Sequence, residues 1–176
     1  MPSQSIVAQC SMPANCAFSR ERTKFYYWDS FEACLNRPEL SMSDIYLGIL
    51  AHPPGWLKWL LVARTKIVSI LGIKGPTSAQ LNSIEIKKRY VVGEKIALFT
   101  LISQDRNEIV ARGDDKHLEF RVSVLKLSGG GVTKIVLTTV VTPHNFFGKA
   151  YLFFVAPFHK LGVKAIMSNA VAAKRI

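Results

Sequence analysis

The sequence lacks acidic residues over its last 57 positions, because all twelve Asp and Glu residues lie at or before Glu119. The same positions hold eight Lys and Arg residues, which supply most of the net charge of +11. Such a balance disfavours a basic partner and is compatible with an anionic one. The alternative is that these side chains are solvated edges of strands and of a helix, and both interpretations stay open here.

Cysteine is scarce, and metal-binding spacings are lacking. Cys10, Cys16 and Cys34 form an odd set without a C-x-x-C pair, which argues against a disulfide framework and against a zinc site. The histidines lack an H-x-x-x-H spacing, and no G-x-S-x-G motif occurs. We therefore expect no metal and no cofactor, and no motif identifies a chemical reaction.

Long apolar runs are also missing. No uninterrupted run reaches the ~18 residues of a membrane-spanning helix, and the first 24 residues lack the early basic cluster of a secretory signal. We predict a soluble cytoplasmic protein. Residues 1–24 are polar and without periodicity, which predicts a loosely ordered N-terminal arm. Residues 25–176 have the length and the apolar content of a single domain.

The periodicity of the chain predicts an α+β fold. An alternating strand over 25–35 is followed by a helix that Ser41 or Ser43 caps and by a second helix from Pro54 through 56–71. From residue 90 the period changes to two, and a last helix begins at Pro157. We therefore expect a curved antiparallel sheet around a long C-terminal helix, with two helices inserted after the first strand. The later strands are expected at 96–103, 108–112, 117–127, 132–142 and 148–155.

A hairpin is predicted over 117–142. With a four-residue turn at 128–131, one face of the hairpin is almost wholly apolar. The expected pairs are Val124 with Ile135, Val122 with Leu137, Phe120 with Thr139 and Leu118 with Val141.

Several short motifs resemble an uncharacterised, mainly bacterial family, number 2867 among the domains of unknown function. The resemblance covers roughly residues 26–170 and implies a helix-grip fold similar to the START and Bet v 1 (SRPBCC) group. Members of that group commonly hold lipids, hormones or polyketides between the sheet and the C-terminal helix. Some members of the family are fused to a Rossmann-type domain, so a nucleotide cofactor would here require a separate partner. The motifs are at 27–31, 54–56, 92–93, 115–124, 138–145, 148–151 and 157–159.

The first functional hypothesis is a binding protein without catalytic activity. It would hold a small hydrophobic ligand between the sheet and the C-terminal helix, because the apolar hairpin face and the apolar stripe of the helix are expected to meet there. The predicted wall residues are Phe120, Val122, Leu137, Thr139, Phe158, Leu161 and Ala165.

The alternative is a cyclase- or isomerase-like enzyme that uses polar residues in the same cavity. The catalytic candidates are His117, Glu119, Arg121 and His144. A histidine beside a carboxylate is suited to acid–base catalysis, and an arginine can bind a carboxylate or phosphate. Alternation of residues in a strand equally predicts that 117, 119 and 121 lie on a solvated outer face.

The basic end of the chain gives a second alternative. On a helical wheel Lys160, Lys164, Lys174 and Arg175 fall on one side, away from the expected apolar stripe. This side predicts weak, salt-sensitive contact with an anionic membrane, without an exposed aromatic anchor. No recognised motif supports contact with nucleic acid, and a homodimer is left open.

Overall fold

The computed structural model describes residues 7–60, 62, 87 and 89–176. They form an α+β structure in which a seven-stranded antiparallel sheet packs against helices on one face. The strands are β1 (Ala8–Gln9), β2 (Tyr27–Cys34), β3 (Lys95–Ile96), β4 (Phe99–Gln104), β5 (Glu108–Asp114), β6 (Leu118–Gly129) and β7 (Val132–Pro143), and the helices are a 3₁₀ helix (Ser19–Lys24), α1 (Met42–Leu50) and α2 (Phe146–Ala172).

The order of strands across the sheet is β1-β2-β7-β6-β5-β4-β3. The first predicted strand corresponds to β2, and the predicted helix after it is α1, where the Ser41 hydroxyl accepts a hydrogen bond from the Asp44 amide. Of the second predicted helix, residues 55–60 and 62 are helical, and the rest lies outside the described residues. An antiparallel sheet with a C-terminal helix is therefore confirmed.

The predicted pairing of the β6–β7 hairpin is wrong by two residues. Val124 lies opposite Leu137, and Val122 lies opposite Thr139. The turn contains only Gly130 and Gly131, both with positive φ (59° and 79°), which is typical of a tight two-residue hairpin turn. Because side chains alternate along a strand, a shift by two residues keeps every side chain on its predicted face.

These two glycines give a first prediction. We expect Gly130→Ala and Gly131→Ala each to lower the free energy of unfolding by about 1 kcal/mol, because a Cβ disfavours positive φ. Urea denaturation measures the loss. Gly129→Ala is the matched control, since Gly129 ends β6 without a positive φ and an added Cβ meets no atom within 4 Å. Equal stability of all three variants would contradict the positive φ of Gly130 and Gly131 in this turn.

The bounds of helix α2 contradict two predictions. The strand predicted at 148–155 and the helix start predicted at Pro157 are both wrong, because one helix runs from Phe146 to Ala172 with Pro157 inside it. The Asn145 side chain caps this helix by accepting a hydrogen bond from the Gly148 amide. Buried residues then recur at the spacing of a helix, so packing against the sheet outweighs the strand propensity of 151–155. They are Gly148, Leu152, Gly162, Val163, Ile166, Met167 and Ala170.

The side of α2 that faces the sheet also differs from the prediction. Phe158 and Leu161, which were expected to face the sheet, are exposed by 61% and 63%, and Ala165 is half-buried. The buried side instead brings Val163 and Met167 into the main core, and the small Gly162 lies next to Leu57. By length and composition alone α2 could cross a membrane, and the cytoplasmic location stays a prediction.

The outer face of the sheet is covered by the N-terminal segment. Within residues 7–24, which were expected to be a loosely ordered arm, Met12, Cys16 and Phe18 are buried in an apolar cluster with Val110 and Val140. The Ala17 amide donates to both carboxylate oxygens of Glu108, at 3.0 and 3.2 Å. The described part of the arm is therefore packed, because apolar residues at irregular spacing meet an apolar sheet face.

Candidate functional site

Strand β2 carries a carboxylate on the inner face of the sheet, which is the face that packs against the helices. Tyr27, Asp29, Phe31 and Ala33 alternate along the strand, so they share one face of the sheet. Phe31 and Ala33 belong to the main core, and Asp29 is only 1% exposed. A carboxylate is rarely buried without a partner, because removal of its charge from water is costly.

Tyr27 supplies one partner of this carboxylate. Its hydroxyl donates to Asp29 Oδ2 at 2.5 Å. Burial, the hydrogen bond to Asp29 and the negative charge of Asp29 all raise the pKa of the Tyr27 phenol. The phenol therefore stays protonated at neutral pH and remains a donor to Asp29.

The other side of the carboxylate faces two more polar side chains. His159 of α2 places Nε2 3.6 Å from Asp29 Oδ1, which exceeds hydrogen-bond distance. Thr139 of β7 lies opposite Asp29 in the sheet. Asp29 Oδ1, His159 Nε2 and Thr139 Oγ1 are buried and have no hydrogen-bond partner among the described residues. We call Tyr27, Asp29, Thr139 and His159 the Asp29 cluster.

A cleft of about 410 Å³ lies beside the Asp29 cluster, between the start of β2 and the middle of α2. Tyr27 belongs both to the cleft and to the cluster, and the His159 ring meets the Tyr27 ring edge-on at 6.3 Å between centroids. Pro157 has no amide hydrogen, so the Phe153 carbonyl lacks its usual donor within the helix. The lining residues are Tyr26, Tyr27, Leu152, Phe153, Ala156, Pro157 and Lys160.

The predicted catalytic candidates lie elsewhere. Glu119 and Arg121 form an ion pair with a closest distance of 2.9 Å. His144 Nε2 lies 2.9 Å from Asp114 Oδ1, and the buried His117 places Nδ1 3.2 Å from the Asn145 side-chain oxygen. None of the four is among the described residues that line the cleft. Their catalytic roles stay predictions, and their positions give no geometric support for joint action.

The predicted wall residues divide into two groups. Val122 and Leu137 are buried in the main core, Phe120 packs against this core, and Thr139 belongs to the Asp29 cluster. Phe158 and Leu161 face away from the sheet, as described above. The inner face thus carries the expected strand residues, but Phe158 and Leu161 are not opposite them, and none of the predicted wall residues is among the described residues that line the cleft.

Sequence reasoning missed Asp29. The available signal was an acidic residue at an inward position of an alternating strand, between Tyr27 and Phe31. No sequence signal would have brought His159 to Asp29, because that contact depends on the start and the rotation of α2.

Comparisons with known proteins agree with the family resemblance and add no activity. The model of the family described as "Protein of unknown function (DUF2867)" matches residues 22–166. No curated protein matches, and no solved structure matches.

Proposed function

The chain belongs to the DUF2867 family of unknown function, and we propose that it binds a small, mainly apolar ligand in the cleft between β2 and α2. The polar end of the ligand would lie at the Asp29 cluster. A volume of about 410 Å³ is within the range of small-molecule sites. The lining is mostly aromatic and aliphatic, which suits an apolar ligand body.

The observation that carries this proposal is the buried Asp29 oxygen, Oδ1, which accepts no hydrogen bond from the described residues. A buried acceptor without a donor costs about 1–3 kcal/mol or more. A ligand that carries a hydrogen-bond donor, such as an amine, an amide or a hydroxyl, would satisfy it. The ligand class is therefore an apolar ring or chain with one donor group.

The architecture supports the same proposal at the level of the fold. A long C-terminal helix packed across an antiparallel sheet has the arrangement expected of the helix-grip group, and we propose that assignment for this chain. Fold alone does not determine function, so the argument for binding depends on the cleft and on Asp29.

The test uses 1-aminoanthracene, a fluorescent apolar amine, as the probe. We expect it to bind the wild-type protein, and we expect Ala156→Trp to weaken binding at least tenfold because the indole would fill the cleft. Asp29→Asn should weaken binding of the amine, while binding of anthracene, which has no donor, should change less. Fluorescence titration measures both affinities.

Ala172→Trp is the matched control, because Ala172 is exposed at the end of the same helix and does not line the cleft. Circular dichroism of each variant checks the fold. Binding to Ala156→Trp with wild-type affinity would contradict the cleft as the site. Equal losses for the amine and for anthracene in Asp29→Asn would contradict the role of Asp29.

A second candidate function is acid–base catalysis in the same cleft. The favouring observation is that His159 Nε2 and Asp29 Oδ1 are 3.6 Å apart and have no hydrogen-bond partners among the described residues. A substrate group within hydrogen-bond distance of both atoms could give a proton to one and take a proton from the other. Mass spectrometry of compounds that co-purify with wild-type protein and with His159→Gln would test it. A different ratio of compounds related by isomerisation or cyclisation supports catalysis, and an identical set supports binding alone.

A further inference from the structure

The outward side of α2 is apolar and exposed. Phe147, Phe154, Phe158 and Leu161 are spaced by seven, four and three residues, so they form one stripe along the helix. Each is more than half exposed, and Phe154 reaches 70%. We call these four residues the α2 stripe. Contiguous exposed aromatic side chains are uncommon on the free surface of a soluble protein and mark a contact site.

A helical segment that contacts α2 carries further exposed apolar side chains. Residues 55–60 are helical, and Leu57 within them lies close to Gly162 of α2. Trp56 and Trp59 of the same segment are exposed by 52% and 72%. Tryptophan is enriched where a protein meets the boundary between water and lipid, because its ring is amphipathic.

Basic residues flank the α2 stripe on one side. At 100° per residue, Lys149, Lys160 and Lys164 lie together on the helix, between its buried side and the stripe. Lys164 is exposed, and the Lys149 ammonium lies 5.6 Å from the centroid of the Tyr26 ring. Helix α2 contains no acidic residue. The contact surface of α2 is therefore apolar with a positive border.

Lys174 and Arg175 do not belong to this border. Helix α2 ends at Ala172, and the Arg175 side chain donates to the Gly48 carbonyl at 3.0 Å. The expected basic side of four residues is thus reduced to Lys160 and Lys164, and Lys149 joins them. The aromatic anchors that the sequence analysis did not expect are present in the α2 stripe.

The charge pattern indicates whether a second copy of the chain or a lipid surface covers the α2 stripe. A two-fold symmetric contact would place the same patch of two copies together, and each copy carries a net charge of +11. A negatively charged lipid surface complements both the apolar stripe and the lysines. The buried side of α2 packs on the sheet, so the helix would lie in the plane of the membrane surface. We propose that the α2 stripe and its flanking lysines dock the protein on an anionic membrane.

The test is flotation with vesicles of phosphatidylcholine alone or with 30% phosphatidylserine, at low and high salt. We expect recovery with the anionic vesicles at low salt and little recovery with neutral ones. Phe154→Ser/Phe158→Ser should reduce the bound fraction at least tenfold at low and at high salt. Lys160→Glu/Lys164→Glu should reduce it at low salt mainly, because salt screens the lysines in the wild type.

Two matched controls remove similar side chains elsewhere. Lys95→Glu/Arg106→Glu reverses two charges on β3 and in the β4–β5 turn, and Val92→Ser/Val132→Ser removes two exposed apolar side chains outside α2. Both should float like the wild type. Equal flotation of the phenylalanine variant and the wild type would overturn the proposal. A wild-type dimer that this variant converts to a monomer, without vesicle binding, would assign the stripe to a second copy and overturn it as well.

Discussion

We expect Gly148→Ala to lower the free energy of unfolding by about 2–4 kcal/mol, which is large for the addition of one methyl group. A Cβ at Gly148 would lie 2.1 Å from the His117 carbonyl oxygen and 3.0 Å from its carbonyl carbon. These are backbone atoms of the residue just before β6, so no flexible side chain can move aside. The first turn of α2 would have to shift away from the sheet.

Gly162→Ala is the control on the same helix. A Cβ there meets Leu57 Cδ1 at 3.4 Å, which is ordinary contact, and alanine favours the interior of a helix over glycine by about 1 kcal/mol. We expect this variant to be as stable as the wild type or slightly more stable. Chemical denaturation of both proteins measures the difference. Equal effects at the two positions would show that α2 does not approach β6 as described.

The strands could be predicted from sequence because their signal is local. Alternation and β-branched residues mark β5, β6 and β7, and the faces of the β6–β7 hairpin survive even a two-residue error in register. Helix α2 was missed over its first half because Tyr151–Val155 has strand propensity and Pro157 resembles a helix start. The helix that forms there instead depends on the Asn145 cap and on packing against residues distant in sequence.

The candidate site was only partly predictable for the same reason. Thr139 was expected on the inner face and lies there, because the strand pattern fixes its side. The contact between His159 and Asp29 joins residues 130 positions apart, and it requires that the helix begin at Phe146. The predicted helix, with Phe158 and Leu161 toward the sheet, would have turned His159 away from Asp29.

The two proposals share Lys160 but otherwise use different side chains of one helix, so their tests are separable. Ala156→Trp alters the cleft and leaves Phe154 and Phe158 in place, whereas Phe154→Ser/Phe158→Ser changes only outward side chains. Phe153 and Lys160 line the cleft, and Lys160 is also part of the basic border. Loss of vesicle binding with retained probe binding would separate docking from ligand binding.

The last prediction concerns the Tyr27–Asp29 hydrogen bond. We expect Tyr27→Phe to lower the free energy of unfolding by about 2 kcal/mol at pH 7, because the change leaves a buried carboxylate oxygen without its donor. The double variant Tyr27→Phe/Asp29→Leu should recover to within about 1 kcal/mol of the wild type, because an apolar pair matches the rest of the inner face. Urea denaturation of the wild type, both single variants (Tyr27→Phe and Asp29→Leu) and the double variant completes a double-mutant cycle.

The dependence on pH gives a second readout of the Tyr27 phenol, which reports its burial together with its bond to Asp29. The pKa of Tyr27 is raised in the folded protein, so the unfolded chain loses this proton first, near pH 10. The stabilisation is therefore fully present below pH 10 and declines as the pH rises above it. Tyr27→Phe lacks this decline, and the gap between the two proteins should narrow by up to about 1 kcal/mol at pH 11, since Tyr27 is only half-buried. Tyr46, whose pKa burial also raises, titrates in both proteins and cancels in the comparison. A constant gap from pH 7 to 11 would show that neither burial nor Asp29 raises the pKa of the Tyr27 phenol.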